Sequence, residues 1–173
     1  MFLQGVQFTD NLPVSAKTAN AAPAALSAQK PRPLPSIFMG GLIAGLLDLM
    51  SAFMTYGWGV PRGIASGLLG KNAFQGGLAT YVLGIALHFF IAFSAAAVYY
   101  AASRKLEFLK EHAVVCGLFY GIAVFLVMNL IVLPLSAIHS RGPFPLAGLI
   151  QGLLVHMFFV GLPISFSVRR YSK

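Results

Sequence analysis

Three ionisable side chains stand inside otherwise apolar stretches of this chain: Asp48, His88 and His156. A carboxylate and two imidazoles are a small but versatile set. As hydrogen-bonding groups they can tie helices together. As titrating groups they can pass a proton or hold a polar solute, because ionisable residues inside membrane spans often mark such routes. His88 and His156 on separate helices are also the minimum for the two axial ligands of a b-type haem, with Gly84 and Gly152 leaving room for the porphyrin. Together with Asp48 they would supply three ligands for zinc or another metal, leaving one position open. These readings stand side by side at the level of sequence.

The elements that must position these residues are dictated by composition. Of 173 residues, 58% are hydrophobic and 9% charged, and the mean hydropathy is +0.80. A soluble domain carries about 25% charged residues. The chain therefore cannot be an ordinary soluble enzyme, a disordered regulator or a nucleic-acid-binding domain, even with its net charge of +8. The partner it must have is a lipid bilayer. One cysteine, Cys116, allows no internal disulfide and no Cys-rich metal site.

A helix needs about 20 mostly apolar residues to cross a hydrocarbon core of about 30 Å. Four stretches meet that requirement, at about 37–56, 80–100, 113–133 and 146–167. The expected fold is an all-α, integral membrane four-helix bundle. At about 1.5 Å of rise per residue, Asp48, His88 and His156 all fall some 12–15 Å below the outer boundary. Since an isolated carboxylate there costs about 2.5–3.5 kcal/mol, a neighbouring histidine is its expected partner. Asn129 and Gln151 extend polarity outward, and nothing comparable continues inward.

Lys17, Lys30, Arg32, Arg104, Lys105, Lys110, Arg169, Arg170 and Lys173 would lie on the side of the termini; Arg62, Lys71 and Arg141 would lie on the other. Basic loops stay cytoplasmic, so both termini are expected inside the cell. Residues 1–36 read as a flexible Ala/Pro-rich cytoplasmic tail without the apolar core of a signal peptide, and 169–173 as a basic cytoplasmic end. Between the first two spans, 57–77 is too apolar for a free loop and too short to span. It reads as an interfacial or re-entrant helix with Ile64, Leu68 and Leu69 on one face and Trp58 at the headgroups. The stretch 134–145, with three prolines, reads as a rigid extended turn. His112 and His139 read as solvated, and Glu107 and Glu111 as salt-bridged to the nearby Arg104, Lys105 and Lys110.

Internal repetition refines this outline. Gly-Leu-x-x-Gly opens the first and third spans, at Gly41 and Gly45 and again at Gly117 and Gly121. Gly-x-x-x-His-x-Phe recurs in the second and fourth, at Gly84 to Phe90 and Gly152 to Phe158. The chain reads as two tandem helical hairpins related by a pseudo-two-fold along the membrane normal. Small residues four apart let spans approach closely. The stripes Gly41–Gly45–Asp48–Ala52, Gly84–His88–Ala92–Ala96 and Gly148–Gly152–His156 are accordingly the expected packing faces.

The run Gly40-Gly-Leu-Ile-Ala-Gly-Leu-Leu-Asp48, then Ile64-Ala-Ser-Gly-Leu-Leu-Gly70, His88-Phe-Phe-Ile-Ala-Phe93, Tyr99-Tyr100 and Asn129 to Pro134 resemble a family of small four-span bacterial inner-membrane proteins of unknown function. The resemblance covers about 38–170. It implies a bacterial inner-membrane location and brings no activity, cofactor or catalytic residue with it. The expectation is a structural or accessory component, alone as a homo-oligomer or with other membrane subunits, and without catalytic residues. A small transporter or proton-linked channel and a haem-binding protein are the alternatives.

Overall fold

The structure, a computed structural model, describes residues 32–139 and 145–171. The described residues form helices and turns with no strand. Four helices are long and apolar enough to cross a membrane: α1 (Pro33–Tyr56), α3 (Leu78–Ser103), α4 (Ala113–Leu135) and α5 (Leu146–Tyr171). A shorter helix, α2 (Val60–Leu69), lies between the first two. The expected all-α four-span architecture is therefore present. α1 begins at Pro33, inside the stretch read as tail, because proline at the first helical position loses no hydrogen bond. The rest of that tail, like the last two basic-end residues, lies outside the described residues.

The Arg32 amide donates to the Tyr171 carbonyl at 3.0 Å, so the described chain enters and leaves the bundle at one end. That end also carries Arg104, Lys105, Lys110, Arg169 and Arg170, and is called the basic end below. Lys110 sits 3.8 Å from Glu107 there, in a single exposed helical turn. Such a pair adds little to stability.

At the far end, Gly57 (φ 75°) stops α1 with its amide on the Phe53 carbonyl at 2.9 Å, and Gly70 (φ 65°) stops α2. Both need the left-handed region that glycine enters without strain. α2 turns its small residues inward: Pro61, Ala65 and Ser66 are buried, while Leu68 and Leu69 are exposed. Trp58 is exposed too and packs on Phe53 with ring centroids 4.9 Å apart. A helix thus stands within 57–77, where one was anticipated, with Leu68 and Leu69 on its exposed side.

α4 and α5 each contain a π-helical turn, at Met128–Val132 and His156–Gly161. Each is followed, two residues later, by a proline: Pro134 and Pro163. A proline ring clashes with the carbonyl one turn before it and leaves that carbonyl without its amide. One extra residue in the coil just ahead of the ring relieves the clash. The helix of α4 consequently runs through Pro134 to Leu135, and the expected extended turn at 134–145 begins later than the prolines suggest. Residues 140–144 of that turn lie outside the described residues.

α1 packs along both α3 and α5, α2 along α3, and α4 along α5. The backbones of α3 and α4 stay apart. A dry core of Ala44, Ala96, Tyr99, Val160, Ile164 and Val168 fills the half of the bundle nearer the basic end.

Candidate functional site

Glycines set how closely the helices meet, and hence which polar groups can reach which. On α1, Gly41 and Gly45 face α3: a Cβ at Gly45 would stand 2.8 Å from the Phe89 ring and 3.2 Å from Ala92. Without that Cβ the Gly45 carbonyl lies open to α3. His88 takes it, Nε2 donating at 2.8 Å. Because a carbonyl only accepts, Nε2 carries the hydrogen. On α5, His156 donates from Nδ1 to the Gly152 carbonyl of its own helix at 2.8 Å, with its ring edge-on to Phe125 at 5.5 Å.

Asp48 is half-buried on α1, one turn beyond the core toward the far end. It makes no hydrogen bond and no ion pair among the described residues. The expected Asp–His pair is therefore not formed: each imidazole gives a ring N–H to a backbone carbonyl and neither reaches Asp48. No group of three His, Cys, Asp or Glu side chains among the described residues comes together as a metal site. The clearance expected for a porphyrin is also filled by protein. A Cβ at Gly84 would overlap the Pro61 carbonyl of α2, and one at Gly152 would touch the Phe125 ring at 3.0 Å.

The remaining span polarity follows the same rule. Asn129 donates to the Phe125 carbonyl at 2.8 Å, and Tyr120 donates across to the Ala95 carbonyl at 2.6 Å. Gln151 donates to the Thr55 hydroxyl at 2.8 Å, and that hydroxyl donates to the Ser51 carbonyl at 2.9 Å. On α2, Arg62 has a buried Nε without a partner among the described residues.

Of the glycines expected to pack, Gly41, Gly45, Gly84, Gly117, Gly121 and Gly152 all face another element. Gly148 does not: nothing lies within 4 Å of where its Cβ would be, because α5 has little packed against it so near its far end. Two glycines outside the expected stripes matter instead. Gly40 meets Ile164 and Ser167 of α5 at 3.3 Å, and Gly161 lies against the backbone of Gly117 and Gly121. Gly40 adjoins Gly41, about 100° round the helix, and so serves a second seam. The repeat could have shown Gly161, since matching His88 to His156 places it opposite Phe93. That matching also holds in space. Gly45 meets Phe89 where Gly121 meets Met157, and Gly41 meets Phe93 where Gly117 meets Gly161.

Set against known protein families, curated proteins and solved structures, the chain matches none.

Proposed function

We propose that this chain is a structural or accessory component of a bacterial inner-membrane complex, with both termini cytoplasmic and no catalytic chemistry of its own. The observation that carries this reading is where the span polarity goes. His88, His156, Asn129 and Tyr120 each donate to a backbone carbonyl, two of them across to another helix. The two that cross hold helices in register, and the other two satisfy their donors within their own helix. The spans also leave much of their apolar surface to lipid or to neighbouring subunits: 11% of the apolar window of α4 is buried within the chain, against 28% for α1. Purification in mild detergent from the native membrane tests this. Fixed stoichiometric membrane partners, or a defined homo-oligomer, are expected; a lone monomer refutes the reading.

A second reading, a small transporter or proton-linked channel, rests on Asp48, the span carboxylate that has no partner among the described residues. Between it and the basic end lies the dry layer of Ala44, Ala96, Tyr99 and Ile164, which would have to part. On this reading Asp48→Asn abolishes flux in liposomes; unchanged flux removes Asp48 from any mechanism.

A further inference from the structure

On the outer flank of the α1–α5 seam lies a groove of about 360 Å³. Its walls are apolar: Met39 and Ile43 of α1, and Phe158, Leu162 and Phe166 of α5. Phe158 and Phe166 are about half exposed, so the groove is open along its length. The π turn at His156–Gly161 and Pro163 distort α5 along this stretch, while Gly40 draws the two backbones together behind it. At one end the chemistry changes abruptly. Arg170 and Tyr171 close the groove at the basic end.

From Phe158 to Arg170 the helix rises roughly 18 Å. Half of a hydrocarbon core of about 30 Å is about 15 Å. The groove therefore runs the depth of one leaflet, from a cationic rim at the headgroup level to an aromatic floor near the bilayer centre. Because the spans stand in lipid, its apolar length calls for an acyl chain and its rim for an anion. A basic pocket between spans at the headgroup level is a recognised way of holding anionic lipid heads.

We propose that this groove is a binding site for an anionic phospholipid of the leaflet on the basic side, its chain laid along Ile43, Leu162 and Phe166 and its phosphate on Arg170. The site does not depend on the accessory-subunit reading, since it needs only that α1 and α5 span the membrane.

The full chain carries one tryptophan, Trp58, at the opposite end of the bundle. The double variant Trp58→Phe/Phe166→Trp moves the fluorophore into the groove. In vesicles of acyl-brominated phosphatidylglycerol and phosphatidylcholine mixed in varying ratio, quenching of the introduced indole reports which lipid occupies the site. One arginine at the headgroup level gives an expected preference of about fivefold for phosphatidylglycerol. Adding Arg170→Gln should bring the preference to about one while the quenching itself persists. Equal quenching by the two lipids before that change overturns the proposal, as does a preference that survives it. Weak quenching by both lipids overturns it as well: relief on deleting 1–31 then identifies the tail as the occupant, and relief on diluting the protein identifies a second copy.

Discussion

In the seam between α1 and α5, Gly40 lies against Ile164 and Ser167 and the two backbones come together. The seam between α3 and α4 is its counterpart in the repeat, and there the backbones stay apart. Aligning Gly41 with Gly117 and His88 with His156 pairs Ala44 with Tyr120 and Ser167 with Tyr99. Where the first seam has an alanine and a serine, the second has two tyrosines, whose rings meet edge to face at 4.9 Å. The Tyr99 hydroxyl donates to the Leu109 carbonyl at 2.9 Å, and the Tyr120 hydroxyl to Ala95. One helical hairpin used twice thus makes two different joints, one closed by backbone contact and one propped by rings. Side-chain volume at two positions decides which.

If the tyrosines are the prop, removing the more buried one should cost most. Tyr99 is 1% exposed and belongs to the dry core, so Tyr99→Ala is expected to destabilise by about 3–5 kcal/mol. Equilibrium unfolding in mixed detergent micelles measures it. A cost below about 1 kcal/mol would mean that α3 and α4 collapse onto each other as α1 and α5 do.

The two hairpins also differ inside themselves. Gly45 faces the ring of Phe89, which can turn aside, whereas Gly121 faces the backbone of His156 and Met157, which cannot. An added methyl brings the same gain in helix propensity at both sites, so the difference isolates the steric part. Gly121→Ala should be less stable than Gly45→Ala by about 2 kcal/mol in the same assay. Equal costs would show that the π turn of α5 yields as readily as a side chain.

How much of this was legible beforehand follows from what each signal measures. A span announces itself by twenty apolar residues, so the four helices, and with an even number of them the meeting of Arg32 and Tyr171 at one end of the bundle, needed no tertiary information. Gly41 with Gly45, and Gly117 with Gly121, were legible because close approach demands small residues at helical spacing. The partner of each polar group was not. Depth put Asp48, His88 and His156 in one layer, but a hydrogen bond is settled within an ångström, and the bare Gly45 carbonyl was nearer His88 than any carboxylate. Pro134 read as a loop residue because the π turn that accommodates it depends on backbone geometry, not composition. The tyrosine prop is not legible in sequence because Tyr99 and Tyr120 belong to neither repeated motif, and their meaning lies in the small residues they replace.

The repeat also offers a way to weigh Asp48, whose counterpart in the second hairpin is Val124. With no partner among the described residues, the carboxylate contributes only the cost of its partial burial. Asp48→Val should therefore raise stability by about 1 kcal/mol in the same micelles. A loss instead would mean that the carboxylate holds a group in the native membrane, and would favour the transport reading.

The smallest expected effect bears most directly on how the propped seam is held. Tyr120→Phe keeps the ring against Tyr99 and deletes only the hydroxyl that donates to Ala95 at 2.6 Å. Ala44, its counterpart, has no hydroxyl, and the α1–α5 seam closes without one at that position. Hydrogen bonds between membrane helices average about 0.6 kcal/mol, because the separated helices also find partners. Tyr120→Phe should thus cost about 0.6 kcal/mol while Tyr99→Ala costs several times more. If the hydroxyl instead accounts for most of the loss, the seam is fastened by a bond and not propped by volume. The contrast between the two seams would then be one of chemistry, with a polar joint in one hairpin pairing and an apolar joint in the other.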